Sequence, residues 1–428
     1  MKKKWRERLW SVQRPLLREE QGNVLVVCLM LMVVFTMLGM SAVLASTIWV
    51  RMMGNSRAGA QAFYAAQAGL AHAKGILRKT NFNVALRGPD EKPGTSDDGT
   101  LKEATNVAFG STTYSVQIID NDDGDGDPLT DSDGKVLIRS TGKGLNNTQR
   151  QLEIEVKKID FHIRGAVTIA DEKARQDVRG NAFRISGCDT APGGSPPISC
   201  IGSGVSGISS AATAPGANDL QCKGDECDNI KGDPTSCTGS LAPGPKGAPS
   251  TANVCLEPSS LSLTELQSLR NLLVSLATAT YNGKTKIESG TLGTRENPQI
   301  TYVSDKLTVE GSTSGAGILI VDGGLSIKGN FNFEGIILVG ICPDCKGEIK
   351  ATGNPTIYGA ILEATSKEFK DSDNPDPDPD FDNPGNIDYV GKSRITVQKD
   401  VGIYYSKKAI DSASGLALTT LSWREIIF

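Results

Sequence analysis

Hydrophobic residues are most concentrated near the start of the chain, where an apolar run leads into an amphipathic stretch. Residues 21–50 carry no charged side chain and are mostly apolar, and about 20 such residues suffice to cross a bilayer as a helix. Apolar residues then recur at helical spacing, at Phe63, Ala66, Leu70, Ala73 and Leu77. The pattern predicts one continuous helix over residues 23–79 that leaves the membrane and enters an exported domain.

Beyond this helix the hydrophobic period changes to that of β-strands. Residues 114–118, 136–138 and 152–156 alternate apolar and polar side chains, as strands with one buried face do. They predict a small antiparallel sheet within residues 80–160, packed on the exported half of the helix.

The distal residues 161–428 repeat the pattern apolar-x-apolar-x-Gly. The units end at Gly187, Gly311, Gly329, Gly335 and Gly353. Short strands with regularly spaced glycine corners predict a mainly β domain that resembles a β-solenoid, and an irregular β-sandwich is the alternative. One helix interrupts it, with a capping box at Ser262 and Glu265 and an apolar face of Leu266, Leu269, Leu272, Leu273 and Leu276. The predicted fold class is therefore α+β.

Composition narrows the function. The chain holds 45 Lys and Arg against 49 Asp and Glu, a net charge of −4, which argues against nucleic-acid binding. Two histidines, His72 and His162, leave little general acid–base apparatus. A β-solenoid hydrolase or lyase would need clustered catalytic carboxylates, and no such motif is recognisable. We therefore predict no enzyme activity.

The first 20 residues carry seven Lys or Arg and three Glu, so the N-terminus is expected in the cytoplasm and the rest outside it. Three interpretations of the apolar run remain. It could be a plain single-pass anchor, a secretory signal cut before Ser46, or a type IV prepilin whose leader, residues 1–22, ends at Gly22 and whose mature chain starts at Asn23.

Residues 18–78 resemble the N-terminal domain of PilX-type minor pilins of type IV pili. The resemblance rests on the Gly22-Asn23 junction, the segment 51–57 (Arg-Met-Met-Gly-Asn-Ser-Arg) and the segment 62–66 (Ala-Phe-Tyr-Ala-Ala). It implies cleavage after Gly22 by prepilin peptidase, N-methylation of Asn23 and insertion of the helix into a pilus. Small residues for close helix packing would be Gly39, Gly54, Ala62 and Ala66.

The resemblance also implies partners and a location. The partners are other minor and major pilins and a PilY-type tip adhesin. The precursor would lie in the inner membrane, and the mature chain in the pilus, from periplasm to cell surface. Most pilins have glutamate as the fifth mature residue, whereas this chain has Val27, as a tip subunit would. The alternative function is a membrane-anchored, calcium-binding β-solenoid adhesin that never enters a filament.

An acidic loop separates the first two predicted strands. Its oxygen-bearing residues have the alternating spacing that wraps ligands around Ca²⁺, and they are Asn121, Asp123, Asp125, Asp127, Asp131 and Asp133. Ser132 stands where an EF-hand needs an acidic residue, so an EF-hand is excluded. A structural Ca²⁺ site is the hypothesis, and a solvated acidic turn the alternative. A second acidic segment, 371–382, is expected to be an exposed loop.

Eight of the nine cysteines follow the apolar run, and an oxidising compartment favours disulfides among them. An insertion over residues 188–258, rich in Gly, Pro, Ser and Cys, contains six of them. Sequence-local pairing predicts Cys188–Cys200, Cys222–Cys227, Cys237–Cys255 and Cys342–Cys345. A zinc cluster in the insertion and a redox pair at 342–345 are the alternatives, although neither has the usual spacing or surroundings.

Overall fold

A computed structural model describes residues 21–426 apart from 172–173, 180–181, 212–217, 222–223, 242–252, 258–262, 343–344, 346 and 365–392. Four predictions therefore fall at least partly outside the described residues. They concern most of the leader, the cap at Ser262, the partner of Cys227, and the acidic segment 371–382.

The chain begins with the predicted long helix. Helix α1 (Gln21–Leu77) has 57 residues and is followed by the short helix α2 (Phe82–Leu86). Four strands come next: β1 (Val107–Phe109), β2 (Thr112–Asp120), β3 (Lys135–Lys143) and β4 (Gln149–Lys157). The three strands predicted from alternation are the cores of β2, β3 and β4, so the predicted order of helix and antiparallel sheet is confirmed.

Short strands fill most of the described residues beyond β4. The first run is β5 (Gly165–Ile169), β6 (Ala174–Arg179), β7 (Arg184–Ser186), β8 (Ser206–Ser210), β9 (Asn218–Gln221), β10 (Ile230–Lys231), β11 (Ser240–Leu241) and β12 (Val254–Leu256). Helix α3 (Leu263–Ser275) follows. The second run is β13 (Ala279–Tyr281), β14 (Thr285–Leu292), β15 (Gln299–Val303), β16 (Leu307–Val321), β17 (Leu325–Ile327), β18 (Asn330–Val339), β19 (Glu348–Ala351), β20 (Thr356–Glu363), β21 (Ser393–Gln398) and β22 (Gly402–Tyr405).

The chain ends by returning to its first sheet. After helix α4 (Lys407–Ser414), strand β23 (Thr419–Ile426) pairs antiparallel with β4, which completes the order β1-β2-β3-β4-β23. We assigned residues 161–428 to the distal domain, and for this last strand that boundary is wrong. Its side chains alternate too weakly to reveal a strand, since most of them are exposed.

Helix α1 packs across one face of this sheet only through its C-terminal third. Ala66, Leu70, Ala73 and Leu77 are buried there, together with the inward residues of β2, β3 and β4. Phe63, the first residue of the predicted stripe, is only partly buried at the edge of this cluster. The apolar stripe therefore marks the docked part of the helix.

The strands from β5 to β22 pair almost entirely in parallel, and we call them the parallel β-region. They form three ladders, whose strand orders are β13-β15-β16-β18-β20-β5-β8-β12, β14-β16-β17-β19-β21-β6-β9 and β14-β16-β18-β20-β22-β7-β10. Paired residues in the second run are one repeat apart, as in Val303↔Val321 and Val321↔Val339.

The parallel β-region is built from two separate stretches of chain. Strands β13 to β22 stack in sequence order, and β20, β21 and β22 then pair with β5, β6 and β7 of the first run. The chain thus enters the region in the middle, builds outward to β12, and crosses through α3 to the opposite end. Its two stretches meet in pairs such as Val167↔Ile361.

The first ladder is buried on both faces, which explains its uninterrupted apolar runs such as Ile336-Ile337-Leu338-Val339. Ile337 and Val339 point into the interior that all three ladders enclose, whereas Ile336 and Leu338 point outward into a second cluster with residues of α3 and α4. A strand covered on both sides loses its polar alternation.

Glycine is required at one corner of the repeat. Gly335 and Gly359 are paired in register and have φ of +136° and +142°, a region that L-residues with a side chain rarely adopt. A Cβ on Gly359 would also collide with the backbone oxygen of Gly335. Glycine recurs at this position because the same bend of each repeat stacks directly on that of the preceding repeat.

Candidate functional site

The N-terminal half of α1 extends beyond the sheet. Residues 24–57 are exposed along their whole length, which at 1.5 Å per residue is about 50 Å of helix. Val24–Leu77 is the one helix in the described part of the chain that is long and apolar enough to cross a membrane. Exposed apolar surface on this scale needs a partner, either lipid or other apolar helices.

The few polar groups in this apolar segment are satisfied within the helix. The hydroxyls of Thr36, Ser41 and Thr47 donate hydrogen bonds of 2.8–2.9 Å to backbone carbonyls three or four residues earlier. A hydroxyl that bonds to its own helix can enter an apolar environment without losing a partner.

The predicted helix-packing residues divide into two groups. Gly39 and Gly54 lie in the exposed half with open space around them, so they are available to a neighbouring helix. Ala62 and Ala66 are fully buried against the chain's own sheet, so their assignment to contacts between subunits is wrong. A Cβ on Gly142 of β3 would collide with the backbone of both alanines, and their small size therefore serves close contact between helix and sheet.

An aromatic surface lies where α1 leaves the sheet. Trp423 of β23 is 53% exposed and its ring centroid is 6.4 Å from that of Phe63. Tyr64 is 60% exposed and adjoins the same ring, at 5.8 Å. This surface continues the exposed apolar side of α1. It could not be predicted from the sequence, because the position of β23 was not predicted.

Ion pairs fix strand β23 beside β4. The carboxylate of Glu153 is 2% exposed and lies between two guanidinium groups, those of Arg139 at 2.8 Å and of Arg424, whose Nε donates a 2.7 Å hydrogen bond. Arg150 pairs with Glu425 at 3.0 Å. Two partners compensate the desolvation of the Glu153 carboxylate.

The acidic loop between β2 and β3 brings three carboxylates together. Ligand oxygens of Asp120, Asp123 and Asp131 all lie within 4.8 Å of one another. Oδ1 of Asp120 and Oδ1 of Asn121 are buried and accept no hydrogen bond among the described residues. Asp120 ends β2 and was not among the predicted ligands, whose alternating spacing begins at Asn121.

The remaining predicted ligands have other partners. Asp125 and Asp127 accept hydrogen bonds from backbone N–H groups two residues later, and Asp133 is paired with Lys135 at 2.5 Å. The side-chain amide of Asn121 donates to Asp133. Of the six residues, only Asp123 and Asp131 belong to the carboxylate cluster.

The electrostatics of the cluster are those of crowded like charges. Burial, together with the neighbouring carboxylates of Asp123 and Asp131, raises the pKa of Asp120 to about 6. The hydroxyl of Ser132 donates to Asp123 and lowers the pKa of that carboxyl to about 2. A cation in the cluster would relieve the repulsion on Asp120 and stabilise its ionised form.

The structure joins three of the four predicted cysteine pairs, namely Cys188–Cys200, Cys237–Cys255 and Cys342–Cys345. Cys222 lies outside the described residues. Cys28, in the exposed half of α1, is a free cysteine. The first two disulfides constrain segments of the insertion that carry few apolar residues of their own.

Residues 21–71 match the family model described as PilX N-terminal. The N-terminal part of this chain therefore carries a PilX N-terminal domain, as in PilX-type minor pilins. The match covers the exposed half of α1 and most of the docked part, so the family resemblance predicted from sequence is confirmed. Proteins of the pilin family are typically non-enzymatic and have partners in the pilus. The apolar helix of this chain is consistent with membrane anchoring.

A solved structure also aligns with this chain. The competence-associated pilin ComZ from Thermus thermophilus is 13% identical over 86% of this chain and 98% of its own, with a TM-score of 0.25. A score this low does not establish a common fold. The association with competence belongs to ComZ and is not transferred to this chain. No curated protein matches the chain.

Proposed function

We propose that this chain is a minor pilin that is cut after Gly22, leaves the inner membrane and packs α1 among the helices of a type IV pilus. The supporting observation is the exposed apolar helix over residues 24–57, which is attached to a folded domain only at its far end. A segment of this length suits both lipid in the precursor and a helix bundle in the filament.

The experiment measures the N-terminus of the mature chain. We expect a mature protein that begins at N-methylated Asn23, and we expect the Gly22→Val precursor to stay uncut. Gly39→Val is the matched control, because it changes a glycine of the same helix in open space and should be processed normally. A mature chain that begins at Met1 or Ser46 would contradict the proposal.

We further propose a tip position for this subunit. Most pilins have glutamate as the fifth residue of the mature chain, and in filaments this glutamate is thought to pair with the amino terminus of a neighbouring subunit. An unpaired carboxylate in the apolar core of the filament would be costly. Val27 is apolar and 54% exposed on the helix. Gold labelling of sheared pili should place this subunit at filament ends, and regular labelling along the shaft would contradict the tip position.

The partners follow from this position. They are other minor and major pilins, with prepilin peptidase acting on the precursor and a PilY-type adhesin bound at the tip. The alternative remains a membrane-anchored adhesin outside the filament. Recovery of the chain with sheared pili from wild-type cells, and its loss from that fraction in Gly22→Val cells, favours the pilin over the anchored adhesin.

We infer that the parallel β-region is a β-solenoid, displayed beyond the pilin sheet. The ladders are parallel, and paired residues lie one repeat apart, 18 residues between Val303 and Val321 and 24 between Gly335 and Gly359. This supports a solenoid over a sandwich, whose strands pair antiparallel. The region offers surface for adhesion.

The carboxylate cluster supports a structural Ca²⁺ site built by Asp120, Asp123 and Asp131, with Asn121 Oδ1 beside them. Hard oxygen ligands of this kind suit Ca²⁺. Asp131→Asn should abolish the rise in melting temperature on adding Ca²⁺, whereas Asp127→Asn, in the same loop but outside the cluster, should keep it. A wild-type melting temperature that does not change with Ca²⁺ or a chelator would remove this site.

A further inference from the structure

One disulfide differs from the others in what it joins. Cys342–Cys345 links residues three apart, against 12 for Cys188–Cys200 and 18 for Cys237–Cys255. The restriction that a disulfide places on the unfolded chain grows with the length of the closed loop. Both cysteines lie between β18 and β19, so this bond is not required to hold separate strands together.

A buried carboxylate lies next to this disulfide. Asp322 follows β16 and Cys342 follows β18, at the same corner of neighbouring repeats, and Cys342 Sγ lies 3.8 Å from the backbone oxygen of Asp322. A carboxylate oxygen of Asp322 and the two sulfur atoms all lie within 4.8 Å of one another. Once the bond is reduced, two thiolates and one carboxylate this close together provide three of the four ligands of a Zn²⁺ site, with water as the fourth.

The carboxylate is already held in position. Its Oδ1 accepts a 2.8 Å hydrogen bond from Arg270 Nε, and its Oδ2 accepts one from Tyr302 at 2.6 Å and one from Arg270 Nη2. The Asp322 side chain is 6% exposed and that of Arg270 is 14% exposed. A carboxylate oxygen has two lone pairs, so Oδ1, which accepts the hydrogen bond from Arg270 Nε, still has one lone pair for a metal ion.

Charge also favours a divalent cation at this place. Two thiolates and the Asp322 carboxylate carry three negative charges, and Arg270 supplies one positive charge. Zn²⁺ brings the sum to zero, which suits a site with little access to water. The oxidised pair carries no charge, and in that state Arg270 alone balances Asp322.

We propose that Asp322, Cys342 and Cys345 form a zinc site that exists only when the disulfide is reduced. A thiol reductant cleaves the S–S bond, two reductant thiols are oxidised to one disulfide, and each cysteine takes up one electron and one proton. Zn²⁺ then replaces both protons and binds the thiolates and the carboxylate. This inference does not depend on the role of the chain in a pilus.

The test uses the full chain in detergent, treated with limiting dithiol that is then removed under inert gas. Mass spectrometry of alkylated peptides should show that Cys342 and Cys345 are reduced while Cys188–Cys200 and Cys237–Cys255 stay intact. A competing chelator should then report one Zn²⁺ per reduced chain and none per oxidised chain. Co²⁺ in its place should give the absorption of thiolate coordination.

Variants separate the site from general metal binding. Cys342→Ser with Cys345→Ser should abolish Zn²⁺ binding, and Asp322→Asn should weaken it at least about tenfold with the same number of free thiols. The matched control, Cys188→Ser with Cys200→Ser, should bind as the wild type does. Unchanged binding in Asp322→Asn, or equal binding by the oxidised wild type, overturns the proposal. The absence of thiolate absorption from the reduced wild type with Co²⁺ overturns it whether or not the variants fold.

Discussion

Burial of the first ladder on both faces predicts the effect of two adjacent substitutions. Ile336 and Ile337 of β18 are both fully buried, but Ile336 contacts the cluster that α3 and α4 help to form, and Ile337 contacts the interior. In a strand with one exposed face, substitution by alanine would reduce stability at only one of two consecutive residues. In β18 we expect both substitutions to reduce it.

The magnitude follows from what each alanine removes. Ile→Ala deletes three carbons, which at about 0.8 kcal/mol each is about 2.4 kcal/mol of transfer free energy. The cavity left in a packed cluster brings the expected loss of unfolding free energy to about 3 kcal/mol for either variant. Asn332→Ala, on the exposed side of the same strand, should stay within about 0.5 kcal/mol of the wild type.

The assay is urea unfolding of the detergent-solubilised full chain, followed by far-ultraviolet circular dichroism of the β-signal. A shift in midpoint at unchanged slope measures the change in stability. If Ile336→Ala costs less than about 1 kcal/mol while Ile337→Ala costs about 3, the helices do not cover this face and the account of the uninterrupted apolar run is refuted.

Three other predictions concern the junctions of the fold. Gly142→Val should cost more than about 3 kcal/mol and detach α1 from the sheet, seen as protease cleavage near residue 62, because its side chain would collide with the helix backbone. Burial lowers the pKa of Lys158 to about 8. Between pH 8 and about 10.5 the folded state therefore binds fewer protons than the unfolded state, and the free energy of unfolding should rise with pH. The Lys158→Met variant should lack this rise. Replacing Cys188 and Cys200 together by alanine should cost about 3 kcal/mol in thermal or urea unfolding.

Each of these has a control or a contrary outcome. The control for Gly142→Val is Gly75→Ala, on an exposed side of α1 with open space around it. This variant should be neutral or stabilising by up to about 1 kcal/mol. If it lost as much stability as Gly142→Val, the loss in Gly142→Val would not report a specific collision between helix and sheet. Identical pH profiles for Lys158→Met and the wild type would show that this amine is not desolvated. Alanines at Cys342 and Cys345 should cost less than those at Cys188 and Cys200, because the closed loop is shorter.

The local elements of this fold could be predicted because their patterns are strong. The uncharged run before Arg51 and the small residues at Ala66 and Ala73 indicated a continuous helix with one docked end, and the alternation in β2, β3 and β4 indicated the sheet. These signals depend only on neighbours within a few residues.

Pairings between distant segments could not be predicted in this way. Nothing local in residues 419–426 indicates that Trp423 lies opposite Ile154, and nothing in β5 indicates that Val167 pairs with Ile361. The acidic loop shows the same limit at a smaller scale. Alternating spacing predicted six ligand residues in this loop. In the structure the carboxylates of Asp125 and Asp127 instead accept hydrogen bonds from backbone N–H groups of the turn. Asp120, from the preceding strand, joins the cluster.

The crossing path of the chain through the parallel β-region has a consequence for how the protein is made. Strands β5, β6 and β7 are synthesised early, yet the partners on their open side lie in β20, β21 and β22, between 194 and 219 residues later. Until those arrive, a hydrogen-bonding edge stays available to any other extended chain. We therefore expect truncated products that stop before residue 356 to aggregate or be degraded, even though they contain every residue of α1.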